Sequence, residues 1–177
     1  VLGEGACTFV LEALSHAEAR GADILGEVVG FATNADGAHI TRPQVSTQEV
    51  CINMALESAG LTAADIGYIN AHATATEYGD AAEAQALAAV LPGVPVASLK
   101  GHIGHTLGAC GSLEAWASLM MMRDEWFAPT LNLTEPNCEP LDYIMGDGRT
   151  LRTDHVMSNN FAFGGINTSL ILKRWLP

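Results

Sequence analysis

Basic side chains are scarce in this 177-residue chain: eight Lys and Arg stand against twenty Asp and Glu, for a formal net charge of −12. So acidic a chain, without a basic cluster anywhere, has little to offer a phosphate backbone or an anionic membrane surface, which argues against nucleic-acid binding. Long apolar runs are lacking too. The most apolar stretch, Ala86 to Leu99, is cut by Pro92, Gly93 and Pro95, far short of a membrane-spanning helix. No CxxC is present, and Cys7, Cys51, Cys110 and Cys138 stand singly, so reduced thiols in a cytoplasmic protein are the expected state. No internal repeat or low-complexity segment is visible, and the first residues as given do not read as a signal peptide. The sequence starts at Val1, inside an apolar run, and the expectation is that the natural protein has residues before it.

What is there suffices for a core. Apolar types make up 49% and charged types 16%, over a length typical of one domain. Glu4 to Leu14 reads as a buried strand running into a short helix that Gly21 ends, and Ile24 to Thr33 as a second strand. Ser46 and Glu49 have capping-box spacing for a helix reaching Gly60, and Thr62 with Asp65 repeats the signal before a strand over Ile66 to Ala71. An Ala-rich helix over Ala81 to Val90, a strand at Pro95 to Ser98 and a helix ending near Arg123 follow. Phe127 to Gly148 reads as irregular, and His155–Phe161 and Ile166–Arg174 as a hairpin joined at Gly164-Gly165. Helices alternating with strands and closed by an antiparallel pair predict an α/β layered fold with a mixed sheet.

Three segments put polar residues where strands end, the usual location of ligands in open α/β sheets. They are Asn70 to Asp80, containing His72, Thr74 and Thr76; the glycine-punctuated Lys100 to Gly111, containing His105; and Ser158 to Asn167. At or near a helix N-terminus, His105 would be held neutral, able to polarise a carbonyl or hold an anion. A phosphate cradle fits poorly, because GxxxxGK[ST] and GxGxxG are both missing. A zinc site from His72, His102 and His105 lacks a fourth ligand at metal spacing.

Together the three segments resemble the β-ketoacyl-acyl-carrier-protein synthases, the condensing enzymes of the thiolase-like superfamily. The family's HGTxTxxGD, K(x)4GH(x)2GAAG and NxFxFGGxN correspond to His72 to Asp80, Lys100 to Gly111 and Asn159 to Asn167, in the same order. The resemblance implies a five-layer αβαβα sandwich of two similar halves, with residues 1–22 ending the N-terminal half and residues 23–177 forming the C-terminal half. It implies a decarboxylative Claisen condensation of malonyl-carrier protein with an enzyme-bound acyl thioester, in fatty-acid, polyketide or aryl-polyene type synthesis. Its nucleophilic cysteine would lie upstream of Val1, leaving this piece inactive by itself.

Residue by residue, His72 and His105 match the family's paired imidazoles, and Lys100 matches a lysine that pairs with a glutamate, here expected to be Glu83. Thr74 and Thr76, with Phe161 beside them, match the contacts of the phosphopantetheine arm, and Phe163 matches the aromatic gate whose backbone N–H completes an oxyanion hole. Asn70, Glu114, Ser158 and Asn159 match residues around a structural monovalent cation. The resemblance implies no other cofactor, since phosphopantetheine arrives on an acyl carrier protein. The implied partners are that carrier and a second synthase-like subunit, in a homodimer or heterodimer. A non-catalytic chain-length-factor-like subunit is the alternative, and retention of both histidines and the lysine favours the enzyme. Ala73 stands where the family has Gly, a cost of about 1 kcal/mol if φ is positive there. Cys110 stands where it has Ala.

Overall fold

A computed structural model describes residues 1–176. Its centre is a six-stranded sheet formed by β1 (Gly26–Ala35), β2 (Tyr68–Asn70), β3 (Pro95–Ala97), β5 (Asp142–Tyr143), β7 (His155–Ala162) and β8 (Ile166–Arg174). The order is β1-β8-β7-β2-β3-β5. β2 runs parallel to β3 and β7, and β3 to β5, whereas β7–β8 and β8–β1 are antiparallel, so the sheet is mixed as expected. Two-residue strands β4 (Trp126–Phe127) and β6 (Arg149–Thr150) pair separately.

Helices cover both faces of this sheet. On one side α2 (Val45–Ala59) and α3 (Glu77–Val90) bury Cys51, Ile52, Leu56 and Leu87 against Ile69, Met157 and Ile171. On the other, α5 (Cys110–Asp124) buries Leu119 and Met122 against Tyr68, Val156 and Leu172. Strand alternation produces the split: successive residues of β2, β7 and β8 point to opposite faces, and both faces are apolar because both are covered. Each large side chain so buried contributes roughly 1.5–3 kcal/mol. The remaining helices, α1 (Leu14–Ala19) and α4 (Lys100–Ile103), are short. No helix among the described residues is long and apolar enough to cross a membrane.

Where the sequence reading and the structure differ, hydrogen bonding explains the difference. Ser46 lies inside α2, not at its N-cap, which is Gln44. The Asp36 carboxylate, arriving from the end of β1, accepts the Gln44 N–H at 2.9 Å and bonds the Thr47 hydroxyl, replacing the predicted box. The fainter signal is the real one: Asp65 accepts from the Thr62 N–H at 2.8 Å and from its hydroxyl at 2.7 Å. Glu4 to Leu14 is not a buried strand. It pairs with no strand of the sheet and has no regular structure before α1, and Val10 and Leu11 are both 78% exposed. Its first residues are tied to the loop before α5: Gly3 donates to the His105 carbonyl at 3.0 Å, and His105 donates to that of Val1 at 2.9 Å. The C-terminal hairpin forms as predicted, its turn made by Gly164 and Gly165 at φ +84° and +75°, a region costly to other residues.

Candidate active site

The loop leaving β2 is held from both sides. Glu83, on the inward face of α3 and almost fully buried, accepts the His72 N–H on Oε1 at 2.8 Å and the Ala73 N–H on Oε2 at 2.7 Å. Across the loop, Ser98 Oγ donates to the Ala73 carbonyl at 3.0 Å. His72 is thereby fixed in a dry position. Burial, helped by the nearby Lys100 ammonium and His105, lowers its pKa to about 3, so the ring is neutral at any physiological pH. Its Nδ1 is buried without a partner.

His105 comes from the glycine-punctuated segment between α4 and α5. Its ring stands edge-on to His72, with centroids 5.4 Å apart and planes at 86°. The Leu107 N–H donates to His105 Nδ1 at 3.3 Å, which assigns the proton of the neutral ring to Nε2. Burial first, then Lys100, lowers the His105 pKa as well. Cys110 Sγ lies 3.3 Å from Nδ1 and 3.5 Å from Glu114 Oε1, at the back of the ring. The thiol is buried and does not line the cavity, so it is not placed as a nucleophile.

Lys100 is buried as expected, but its partner is different. Its ammonium lies 2.5 Å from Glu114 Oε1, in an ion pair with side chains 5% and 0% exposed. The expected Glu83–Lys100 pair is therefore corrected: among the described residues, Lys100 has no ion pair with Glu83. The sheet separates the two. Glu83 sits on the α3 face, while Lys100 follows β3 and turns to the α5 face, where Glu114 projects inward one turn after Cys110. Asn160 Nδ2 donates to the other Glu114 oxygen at 3.4 Å.

The expected cation set is not gathered either. Asn70 and Ser158 are register partners on the α5 face, joined at 3.3 Å, but the next residue, Asn159, points to the α2 face and accepts from Ser169 Oγ at 2.8 Å. Glu114 already has the Lys100 ammonium. Asn70 Oδ1 is left buried without a partner beside Ser158, but with Asn159 turned to the other face and Glu114 Oε1 taken by Lys100 the four side chains do not converge on one point. Among the described residues no cluster of three or more His, Cys, Asp or Glu could hold a metal, and His102 faces away, with Nε2 2.8 Å from the Pro129 carbonyl. Ala73 does not have a positive φ, so the expected strain is missing there. It falls instead on Ala75, at φ +60°.

His72 and His105 open into a cavity of about 560 Å³. Thr74, Thr76, Phe161 and Phe163 line it too, so the structure joins segments far apart in sequence around one space. The two threonine hydroxyls are 3.0 Å apart, Phe161 is buried, and the Phe163 side chain stands 69% exposed on the turn. Gln48 is among the lining residues that the sequence reading did not single out. It is fully buried on α2 with both amide atoms unpartnered, and the available signal was a polar residue within the inward stripe of Cys51, Ile52 and Ala55. The arrangement offers two neutral imidazole donors, backed by a buried ammonium–carboxylate pair, to a substrate oxygen that gains negative charge. Such donors are strongest in a fixed, dry site.

Fold and site define a thiolase-like α/β domain with a paired-histidine site. The family profile described as "Beta-ketoacyl synthase, C-terminal domain" matches residues 25–134, and the chain belongs to this family. It is 44% identical to 3-oxoacyl-(acyl-carrier-protein) synthase 2 of Rhizobium meliloti over 182 residues, covering 99% of this chain and 43% of that protein. Among solved structures, a β-ketoacyl synthase from Burkholderia phymatum superposes with a TM-score of 0.91 at 56% identity, over 93% of this chain and 41% of that one. The ishigamide ketosynthase/chain length factor superposes at 0.95 with 35% identity, over 99% of this chain and 44% of that one. The chain thus spans less than half the length of these relatives.

Proposed function

We propose that this chain is the C-terminal part of an acyltransferase that condenses malonyl-carrier protein with an enzyme-bound acyl thioester, as in fatty-acid, polyketide or aryl-polyene synthesis. The observation that carries the reading is the pair of neutral imidazoles facing one cavity with Lys100–Glu114 behind them. In the reaction the bond from the malonyl α-carbon to its carboxylate breaks, carbon dioxide leaves, and the electron pair moves onto the thioester enolate. The His105 Nε2–H and the His72 ring stabilise the enolate oxygen, and the Lys100 ammonium adds a fixed positive field. The α-carbon then attacks the acyl thioester carbonyl, a carbon–carbon bond forms, and the acylated cysteine leaves as thiolate.

Glu83 is a positioning residue in this scheme, since it holds the His72 backbone and touches no substrate. Thr74, Thr76 and Phe161 contact the phosphopantetheine arm, and the Phe163 backbone N–H joins the oxyanion site of the acyl carbonyl. Residues 1–22 end an N-terminal half and residues 23–177 form the C-terminal half, which fits the N-terminal segment lying along the loop before α5 without entering the sheet. The nucleophilic cysteine belongs to the N-terminal half, the partners are an acyl carrier protein and a second synthase-like subunit, and the compartment is the cytoplasm. In the complete synthase, His72→Ala and His105→Ala each lower malonyl decarboxylation by about 10²–10³ while cysteine acylation persists. Carbon dioxide release at the parent rate in either variant makes that histidine structural.

A further inference from the structure

Seven of the chain's eight Lys and Arg side chains have a carboxylate within 3.8 Å. Arg42 has none among the described residues, although the chain carries twenty carboxylates and Glu77 lines the same cavity. It stands at the mouth of that cavity: its neighbours Thr41 and Pro43 line the wall, and its guanidinium lies over Tyr78, which also lines it, 5.5 Å from the ring centroid. Stacking on an aromatic face fixes a guanidinium by charge–quadrupole attraction and leaves its N–H edge free.

The backbone under Arg42 is braced. Gln44 Nε2 donates to the Arg42 carbonyl at 3.2 Å, the Gln44 N–H donates to Asp36 at 2.9 Å, and the Gly164 N–H donates to the Ile40 carbonyl at 3.0 Å. The cavity therefore carries a braced, unneutralised guanidinium at its mouth, a pair of hydroxyls at Thr74 and Thr76 on its wall, and two imidazoles from His72 and His105. A planar guanidinium fork matches the oxygens of a phosphate or phosphodiester. We propose that Arg42, stacked on Tyr78, anchors the phosphodiester of the phosphopantetheine arm whose thioester reaches the two histidines. The inference rests on the proposed condensing activity and adds to it a residue that selects a phosphorylated arm.

The test compares binding of 4′-phosphopantetheine and pantetheine to the complete synthase chain by calorimetry. The parent binds the phosphorylated ligand about five- to tenfold more tightly at low ionic strength, less so in 0.5 M NaCl, because exposed charges are screened. Arg42→Ala brings the two affinities within about twofold of each other, Arg42→Lys keeps part of the difference, and Tyr78→Phe, which retains the ring, keeps it nearly whole. Equal binding of both ligands by the parent, or an equal loss for both in Arg42→Ala, overturns the proposal.

Malonyl thioesters of the carrier protein and of coenzyme A separate the sources of the phosphodiester. A raised KM in Arg42→Ala for both supports recognition of the shared group. A raised KM for the carrier alone, with free phosphopantetheine unaffected, overturns it in favour of a contact with the carrier's body. Phosphate discrimination without condensation defeats the condensing reading and leaves the anchor standing. Condensation without discrimination does the reverse.

Discussion

Two buried glutamates stand behind the two histidines, on opposite faces of the sheet, and they are compensated in different ways. Glu114, on α5, has an ammonium at 2.5 Å. Glu83, on α3, has two backbone N–H groups and no cation in contact. Burial raises the Glu83 pKa to about 7, because two amide dipoles and the more distant Lys100 do not fully replace water around a carboxylate. A carboxylate with its own counter-ion holds a field in place, whereas one held by amides holds a backbone in place.

The largest expected effect breaks the ion-paired side. Glu114→Ala leaves the Lys100 ammonium buried and unpaired, and should cost about 3–5 kcal/mol in urea unfolding, with Lys100→Ala costing nearly as much. The double variant should be less destabilised than the sum of the two, since it strands no charge. Strict additivity would mean that the pair is not coupled.

Next comes the amide-held side. Glu83→Ala leaves two N–H groups without acceptors, at about 1–3 kcal/mol each where burial persists, and lets His72 move. Its coupling to Lys100 in a double-mutant cycle should be clearly smaller than that of Glu114. A Glu83–Lys100 coupling as large as the Glu114–Lys100 one would erase the contrast.

The third prediction concerns pH and uses the opposite directions of two shifts. The Glu83 pKa is raised, so the native state binds the extra proton between about pH 4.5 and 7. Its contribution to stability is full below 4.5 and is lost as pH rises through about 7. The His72 pKa is lowered from 6.5 to about 3, so its contribution is present above 6.5 and fades as pH falls toward 3. The two contributions oppose each other between about pH 4.5 and 6.5, so unfolding free energies should change little there and decline only weakly from about pH 6.5 to 7.5. Glu83→Gln should leave the His72 contribution alone and turn the profile into a rise with pH up to about 6.5. A slope unchanged in the variant would assign the titration elsewhere.

The smallest effect is at the strained residue of the same loop. Ala75→Gly relieves a positive φ and should stabilise the chain by up to about 1 kcal/mol, less what the freer unfolded chain takes back. A loss of stability would show that the Cβ of Ala75 packs usefully.

The sequence by itself determined the mixed α/β architecture and the C-terminal hairpin, and its three motifs, through their resemblance to the family, implied that His72, His105, Thr74, Thr76, Phe161 and Phe163 share one site. Hydrophobic period, turn glycines and the three spaced motifs are local signals, and local signals survive in one dimension. The tertiary structure decided which buried charge meets which. Lys100 is closer in sequence to Glu114 than to Glu83, yet spacing does not say to which face of the sheet a residue after a short strand will turn. The same parity separated Asn159 from Ser158, because neighbours in a strand face opposite layers. It also left Arg42 unneutralised at the cavity mouth. Which of eight cations goes without a carboxylate depends on distances across the whole fold, and only the folded chain sets those distances.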